Sequence, residues 1–148
     1  MKSAAVVLGM CGGAAALTIG TVPSRAGTVK MMPAIGDSGV EFETVAREWR
    51  CKYAMDADGT PAKSEALKAA QALLTEYLPA LKALPGAEVT RVVCGGCGDF
   101  KVIVNQPAAE HDAWKAKAYA PEKEFIAKLT AIDGVQRVET QEFTMEKL

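Results

Sequence analysis

The chain of 148 residues has a single histidine, no block of basic residues and no acidic residue before Asp37. Each shortage excludes something. A net charge of −1, with Lys and Arg spread along the sequence, leaves no electrostatic footprint for nucleic acid, and no nucleic-acid partner is expected. The histidine, His111, is followed by Asp112, but no serine-nucleophile pattern accompanies the pair, so no hydrolase triad is visible. Gly95-Gly96 is followed by neither Lys-Ser nor a helix start, which removes a phosphate cradle. Asp56-Ala57-Asp58-Gly59 opens like a calcium loop but lacks the later bidentate glutamate. A closed zinc site needs four ligands, and His111 falls beyond the far end of the third strand from the cysteines. No metal and no cofactor are therefore expected. Apolar residues are not scarce: the chain is 49% hydrophobic and 24% charged, enough for a core and unlike a disordered segment.

The first 26 residues differ from the rest. Lys2 is followed by an uncharged run rich in small residues, and Ser24 and Ala26 stand at the spacing of a signal-peptidase site. The run is short for a bilayer span and weakened by glycines, so a cleavable leader is expected over residues 1–26, with no membrane span in the mature chain. Residues 27–39 read as a flexible spacer and 40–148 as one folded domain. The leader implies a secretory or plastid-targeted, lumenal destination.

Within the domain, Val40 to Tyr53 predicts a strand, with Val45, Trp49, Cys51 and Tyr53 on one side and Thr44, Glu48, Arg50 and Lys52 on the other. Thr60-Pro61 reads as a cap and first-turn proline for a helix running to Leu84, whose stripe is Leu67, Ala70, Leu74, Tyr77, Leu81 and Leu84. Pro79 predicts a bend or break in it. Glu88 to Cys94 and Phe100 to Asn105 flank a glycine-rich turn and predict a hairpin. His111 to Tyr119 is ambiguous, Glu122 to Ile132 is a helix, and Val135 to Thr144 is the last strand. The segment from Leu81 to Val92 loosely repeats that from Leu129 to Val138: helix end, glycine turn, strand start. Two such halves give an α+β, ferredoxin-like β-α-β-β-α-β fold, a four-stranded antiparallel sheet with two helices on one face. The opposite sheet face is bare and predicts a homodimer or a larger protein complex.

The run from Arg91 to Val104, followed by a helix and then Leu129 to Thr140 through Asp133-Gly134-Val135, resembles dimeric α/β-barrel domains, most nearly the ligand-binding domain of Lrp/AsnC regulators. No helix-turn-helix domain stands ahead of it, so transcriptional regulation is not implied. The resemblance implies the fold, a dimer and a small-molecule site near Gly98 and Asp99, although Lys101 stands where the family carries an acid.

Two sets of residues are candidates for chemistry. Cys94-Gly95-Gly96-Cys97, with Cys51 expected at the same end of the sheet, suits a structural disulfide, a redox pair or soft metal ligands, in that order. Trp49 and Tyr53, with Gly98 and Asp99, are candidates for lining a ligand pocket. With no complete catalytic constellation in view, the leading expectation is a non-catalytic binding or assembly domain. The alternatives are an α/β-barrel protein that binds or transforms a small molecule without a cofactor, and a thiol–disulfide oxidoreductase using Cys94 and Cys97.

Overall fold

A computed structural model describes residues 32–146. The expected leader lies outside the described residues, as do positions 27–31 of the expected spacer. Residues 32–39 are not a plain spacer: Ala34 bridges Glu41, and the Ile35 amide donates to the Val40 carbonyl at 3.0 Å.

The elements run β1 (Thr44–Tyr53), α1 (Glu65–Lys82), β2 (Glu88–Cys94), β3 (Asp99–Pro107), α2 (Ala108–Lys115), α3 (Glu122–Thr130) and β4 (Val135–Thr144). The sheet order is β2-β3-β1-β4, antiparallel throughout, which is the ferredoxin-like arrangement expected. The second crossover holds two short helices where one was expected. Its ambiguous segment is α2, which ends in a turn leading to a cis Ala120–Pro121 bond and then α3.

Period-two alternation decides which side chains face the helices. On β3, Phe100, Val102, Val104 and Gln106 are buried; on β1, Trp49, Cys51 and Tyr53 share that face. The inner faces of α1 and α3 close over them with Ala70, Leu74, Tyr77, Leu81, Phe125 and Leu129. Phe125 is fully buried, stacked on Trp49 with centroids 4.7 Å apart and edge-on to Tyr77 at 5.5 Å.

Local signals place the connections. Helix α1 starts at Glu65 rather than at Pro61. Asp56 accepts from the amides of Asp58, Thr60 and Lys63 and from the Thr60 hydroxyl, so Thr60 is held in the loop and cannot cap. Ser64 caps instead, accepting from the Leu67 amide at 3.1 Å and donating to the Ala54 carbonyl at 2.6 Å. The predicted break at Pro79 does not occur, since α1 is one helix to Lys82. Pro79 leaves the Thr75 carbonyl without an amide donor, and the helix continues past it to Lys82. In the β2–β3 turn, Gly98 has φ +64°, and a Cβ there would sit 2.9 Å from the Tyr53 carbonyl oxygen.

Among the described residues, no helix covers the other sheet face. Glu48, Arg50 and Lys52 of β1 stand there beside Lys101 and Asp99 of β3, with Val92 of β2 at 40% exposure. Among the described residues, no helix is long and apolar enough to cross a membrane.

Candidate functional site

Arg47 shares the parity of Trp49, Cys51 and Tyr53, so a charged residue enters the helix-side layer. Its register neighbours are Val104 on β3 and Glu142 on β4. An inward guanidinium needs a partner, and Glu122, in the first turn of α3, provides it. Arg47 Nε donates to Oε2 at 2.7 Å and Nη2 to Oε1 at 2.9 Å, a fork-to-fork pair. Trp49 Nε1 donates to the same Oε2 at 2.6 Å. Arg47 Nη2 also reaches Thr140 Oγ1 at 3.1 Å.

The other face of Arg47 covers the Tyr119 ring, with Cζ 4.3 Å from its centroid. Tyr119 lies in the turn after α2, where Ala118 and Tyr119 both have φ +53°. That left-handed backbone costs about 1–2 kcal/mol per residue. It places the Tyr119 hydroxyl as a donor to Glu142 Oε2 and its ring 5.7 Å from that of His111. Trp114 closes the aromatic group, edge-on to both Tyr119 and His111, and donates from Nε1 to the Ala120 carbonyl at 2.8 Å.

Glu142 is the hub. Lys115 Nζ donates to Oε1 at 2.8 Å, Tyr119 donates to Oε2, and His111 Nε2 lies 3.2 Å from Oε2. These bonds, that of Lys115 first, hold the carboxyl down at about 2, well below its usual 4.5. Glu142 correspondingly pushes the Lys115 ammonium up, and burial followed by Glu142 pushes the Tyr119 phenol up.

An ionised carboxylate only accepts, so His111 Nε2 carries the proton between them. In the neutral ring Nδ1 is then a lone-pair acceptor. It is buried and has no hydrogen-bond partner, in a side chain 1% exposed. His111 lines an open cleft of about 530 Å³ at the end of the sheet where β1 begins and β4 ends. Its apolar wall comes from Ile35, Phe42, Val45 and Phe143, and its polar wall from His111, Asp112 and Glu142. The size and the lining are those of a small-molecule site.

Of the residues singled out from sequence, Trp49 belongs to this cluster. Tyr53, Gly98 and Asp99 lie at the opposite end of the sheet. There the Tyr53 hydroxyl donates to the Cys94 carbonyl at 3.0 Å, its amide donates to the Gly98 carbonyl at 2.8 Å, and Asp99 pairs with Lys52 at 2.8 Å. Cys94 and Cys97 are bonded through sulfur across the turn. Cys51 does not join them, and the expected three-thiol cluster is corrected. Cys94 pairs with Asp99 and Asp99 with Lys52, which puts them on the open face, whereas Cys51 is buried in the helix-side core. Burial, then Asp99, pushes the Cys51 thiol up to about 11. Among the described residues, no group of three His, Cys, Asp or Glu side chains is placed to hold a metal ion.

Sequence reasoning missed Arg47, Glu122 and Glu142, set His111 aside as a triad member or metal ligand, and read Tyr119 as ordinary core. For Arg47 the signal was present as a charge in an otherwise apolar register.

No protein-family model matches the sequence, and no curated protein matches it. Among solved structures, the chain is similar to a variant of SnoaB, described as a cofactor-independent oxygenase from Streptomyces nogalater. The identity is 15% and the TM-score 0.48, over 72% of this chain and 96% of that one. It is also similar to Rv0793 from Mycobacterium tuberculosis, at 14% identity and a TM-score of 0.48, over 71% of this chain and 97% of that one. These are likenesses of fold.

The expectation of a non-catalytic assembly domain is corrected here. It rested in part on the lack of a complete catalytic constellation, and the chain brings His111 of α2 and Glu142 of β4 together at a cleft. The small-molecule alternative fits this arrangement.

Proposed function

We propose that the chain is a small-molecule-binding α/β-barrel protein that performs cofactor-free proton transfer on an apolar, hydroxylated ligand seated in the His111 cleft. The observation that carries this reading is the unpartnered, buried Nδ1 of His111 behind a carboxylate that fixes the proton on Nε2. A buried acceptor without a partner costs about 1–3 kcal/mol, and a ligand hydroxyl or acidic C–H that displaces the side chains covering it supplies the missing donor. On proton transfer to Nδ1, the imidazolium is stabilised by Glu142 through Nε2–H. Lys115 and Tyr119 keep Glu142 anionic and in place. The apolar wall selects a largely hydrophobic body, and no cofactor is needed for this step.

The test uses 2-naphthol, whose neutral and ionised forms fluoresce differently. The wild-type chain binds it saturably and raises the ionised fraction. Val45→Trp fills the cleft and abolishes binding. His111→Gln retains binding and loses the ionisation. A wild-type chain that binds no 2-naphthol, or an ionised fraction unchanged in His111→Gln, sinks the proposal.

The open sheet face supports a second copy of the chain as partner. Glu48 is only 4% exposed there, yet its Oε1 has no hydrogen-bond partner and rests on ion pairs to Lys101 at 3.4 Å and Arg50 at 3.9 Å. Adjacent positive and negative side chains with apolar Val92 and Ile103 beside them are self-complementary under a two-fold axis.

A further inference from the structure

Cys94 and Cys97 stand at the far end of the sheet from the His111 cleft, and neither takes part in the proton-transfer reading. Their arrangement has four features that a structural staple does not require.

The first is redundancy. Cys94 pairs with Asp99 in the β2–β3 ladder, so the turn they span is already closed by backbone pairing. A cross-link over a loop that the ladder closes adds little to folding, because the entropy removed from the unfolded chain grows with loop length. The second is asymmetry of access. Cys97 is exposed and Cys94 half-buried. A Cβ added at Gly96, between them, would meet nothing within 4 Å, so the turn is open to an approaching group.

The third feature concerns the sulfurs as they would stand after bond cleavage. The Cys97 amide points at Cys94 Sγ at 3.2 Å, a donor in place for a thiolate at Cys94. Asp99 Oδ2 lies 3.2 Å from Cys97 Sγ, an acceptor in place for a thiol proton at Cys97. The fourth is that the turn is anchored independently of the sulfurs. Lys52 Nζ donates to the Cys97 carbonyl at 2.9 Å and pairs with Asp99, and Tyr53 holds the carbonyls of Cys94 and Gly98. The hairpin thus has the contacts to keep its shape when the sulfur–sulfur bond opens. Among the described residues the remaining cysteine, Cys51, is buried on the other sheet face and offers no competing thiol.

We propose that Cys94–Cys97 is a reducible disulfide that accepts two electrons from a dithiol, the incoming thiolate attacking Cys97 and Cys94 departing. In the first step a thiolate of the reductant bonds to Cys97 Sγ, the Cys94–Cys97 bond breaks, and its electron pair leaves on Cys94 as a thiolate facing the Cys97 amide. In the second step the reductant's other thiolate attacks its own sulfur in the mixed disulfide. Cys97 is released and protonated, its S–H directed at Asp99. The reductant ends as a disulfide and the protein as a dithiol, with the reductant's two protons on the two cysteines or passed to solvent. The partner class is a protein or small molecule with two vicinal thiols.

The experiment traps the first step. The oxidised full-length chain is mixed with glutathione, quenched with acid at short times, alkylated with iodoacetamide and mapped by peptide mass spectrometry. The result expected is glutathione on Cys97 and the alkyl group on Cys94. Glutathione on Cys94 instead overturns the assigned direction of attack. Failure of excess dithiothreitol to reduce the pair in the folded chain overturns the proposal altogether and leaves an inert staple. Two variants check the result without relying on short times. With glutathione disulfide, Cys94→Ser accumulates a stable adduct on Cys97, and Cys97→Ser forms one on Cys94 roughly tenfold more slowly because of its burial. Equal rates count against the proposal. Binding of 2-naphthol is unchanged by reduction, so failure at one end of the sheet is distinguishable from failure at the other.

Discussion

Arg47 and Glu122 meet fork to fork across 75 residues of sequence, with Nε on Oε2 at 2.7 Å and Nη2 on Oε1 at 2.9 Å. The two side chains are 14% and 16% exposed, so the pair is shielded on most sides. Removing one partner leaves the other charge without compensation, which is the costly way to break an ion pair. Glu122→Ala strands Arg47 and the Trp49 indole N–H together. It is expected to destabilise the chain by about 2–4 kcal/mol, read as a lower urea midpoint. Exchanging both residues, Arg47→Met with Glu122→Leu, is expected to recover most of that loss. A single variant as stable as the wild type removes the pair from any structural role.

Glu142 ties folding to acidity. Lys115, then Tyr119, hold its carboxyl at about 2 in the folded chain against an ordinary 4.5. A depressed carboxyl contributes stability that is complete above the unfolded value and is lost as pH falls through the folded one. The window therefore runs from about 4.5 down to about 2. The site is substantially solvated, so the contribution is screened and modest. Wild type is expected to be more stable than Glu142→Gln near neutrality, and the difference in urea midpoint closes steadily across that window. A difference that persists undiminished at its acid end assigns the effect to packing instead.

The backbone at Ala118 offers a test in the opposite direction. Its φ of +53° suits glycine and strains alanine. Ala118→Gly relieves that strain while adding freedom to the unfolded chain, for an expected net stabilisation of up to about 1 kcal/mol. The rise in thermal midpoint is to be read together with 2-naphthol binding. A turn held strained in order to aim Tyr119 at Glu142 gains stability in the variant and loses some control of the ligand. A lower midpoint means that Ala118 is held without strain.

Much of the fold follows from short-range pattern. Phe100, Val102 and Val104 show the β3 face by alternation alone, and Leu74, Tyr77 and Leu81 show that of α1 by their spacing. The glycine-rich cysteine turn is local chemistry and appears where the spacing predicts it. The cleft is different in kind. Glu122 and Glu142 read on any single element as solvated carboxylates, and they acquire meaning when β1 is registered between β3 and β4. His111 lay in the one segment whose pattern fitted no element cleanly. Its burial depends on Trp114 and Tyr119 closing around it, and their placement depends on a left-handed turn between α2 and α3. Only Arg47 carried a legible sign, a charge at an inward position of a central strand.

The open face yields the last prediction. Val92 is 40% exposed on edge strand β2, and Ile103 stands in the next strand on the same face. Around them Glu48, Arg50, Lys52, Asp99 and Lys101 set opposite charges side by side. A second copy facing this surface through a two-fold axis would cover the exposed valine and could bring a donor to Glu48 Oε1, which has no hydrogen-bond partner. Val92→Arg adds a like charge to both sides of such an interface while leaving the monomer's buried core untouched. Sedimentation velocity is expected to show a dimer for the wild type and a monomer for Val92→Arg, with unchanged far-UV circular dichroism. The 2-naphthol cleft lies on the helix side of the sheet, so binding persists in the monomeric variant. A wild type that sediments as a monomer at high concentration assigns the exposed valine and the unmatched glutamate oxygen to solvent.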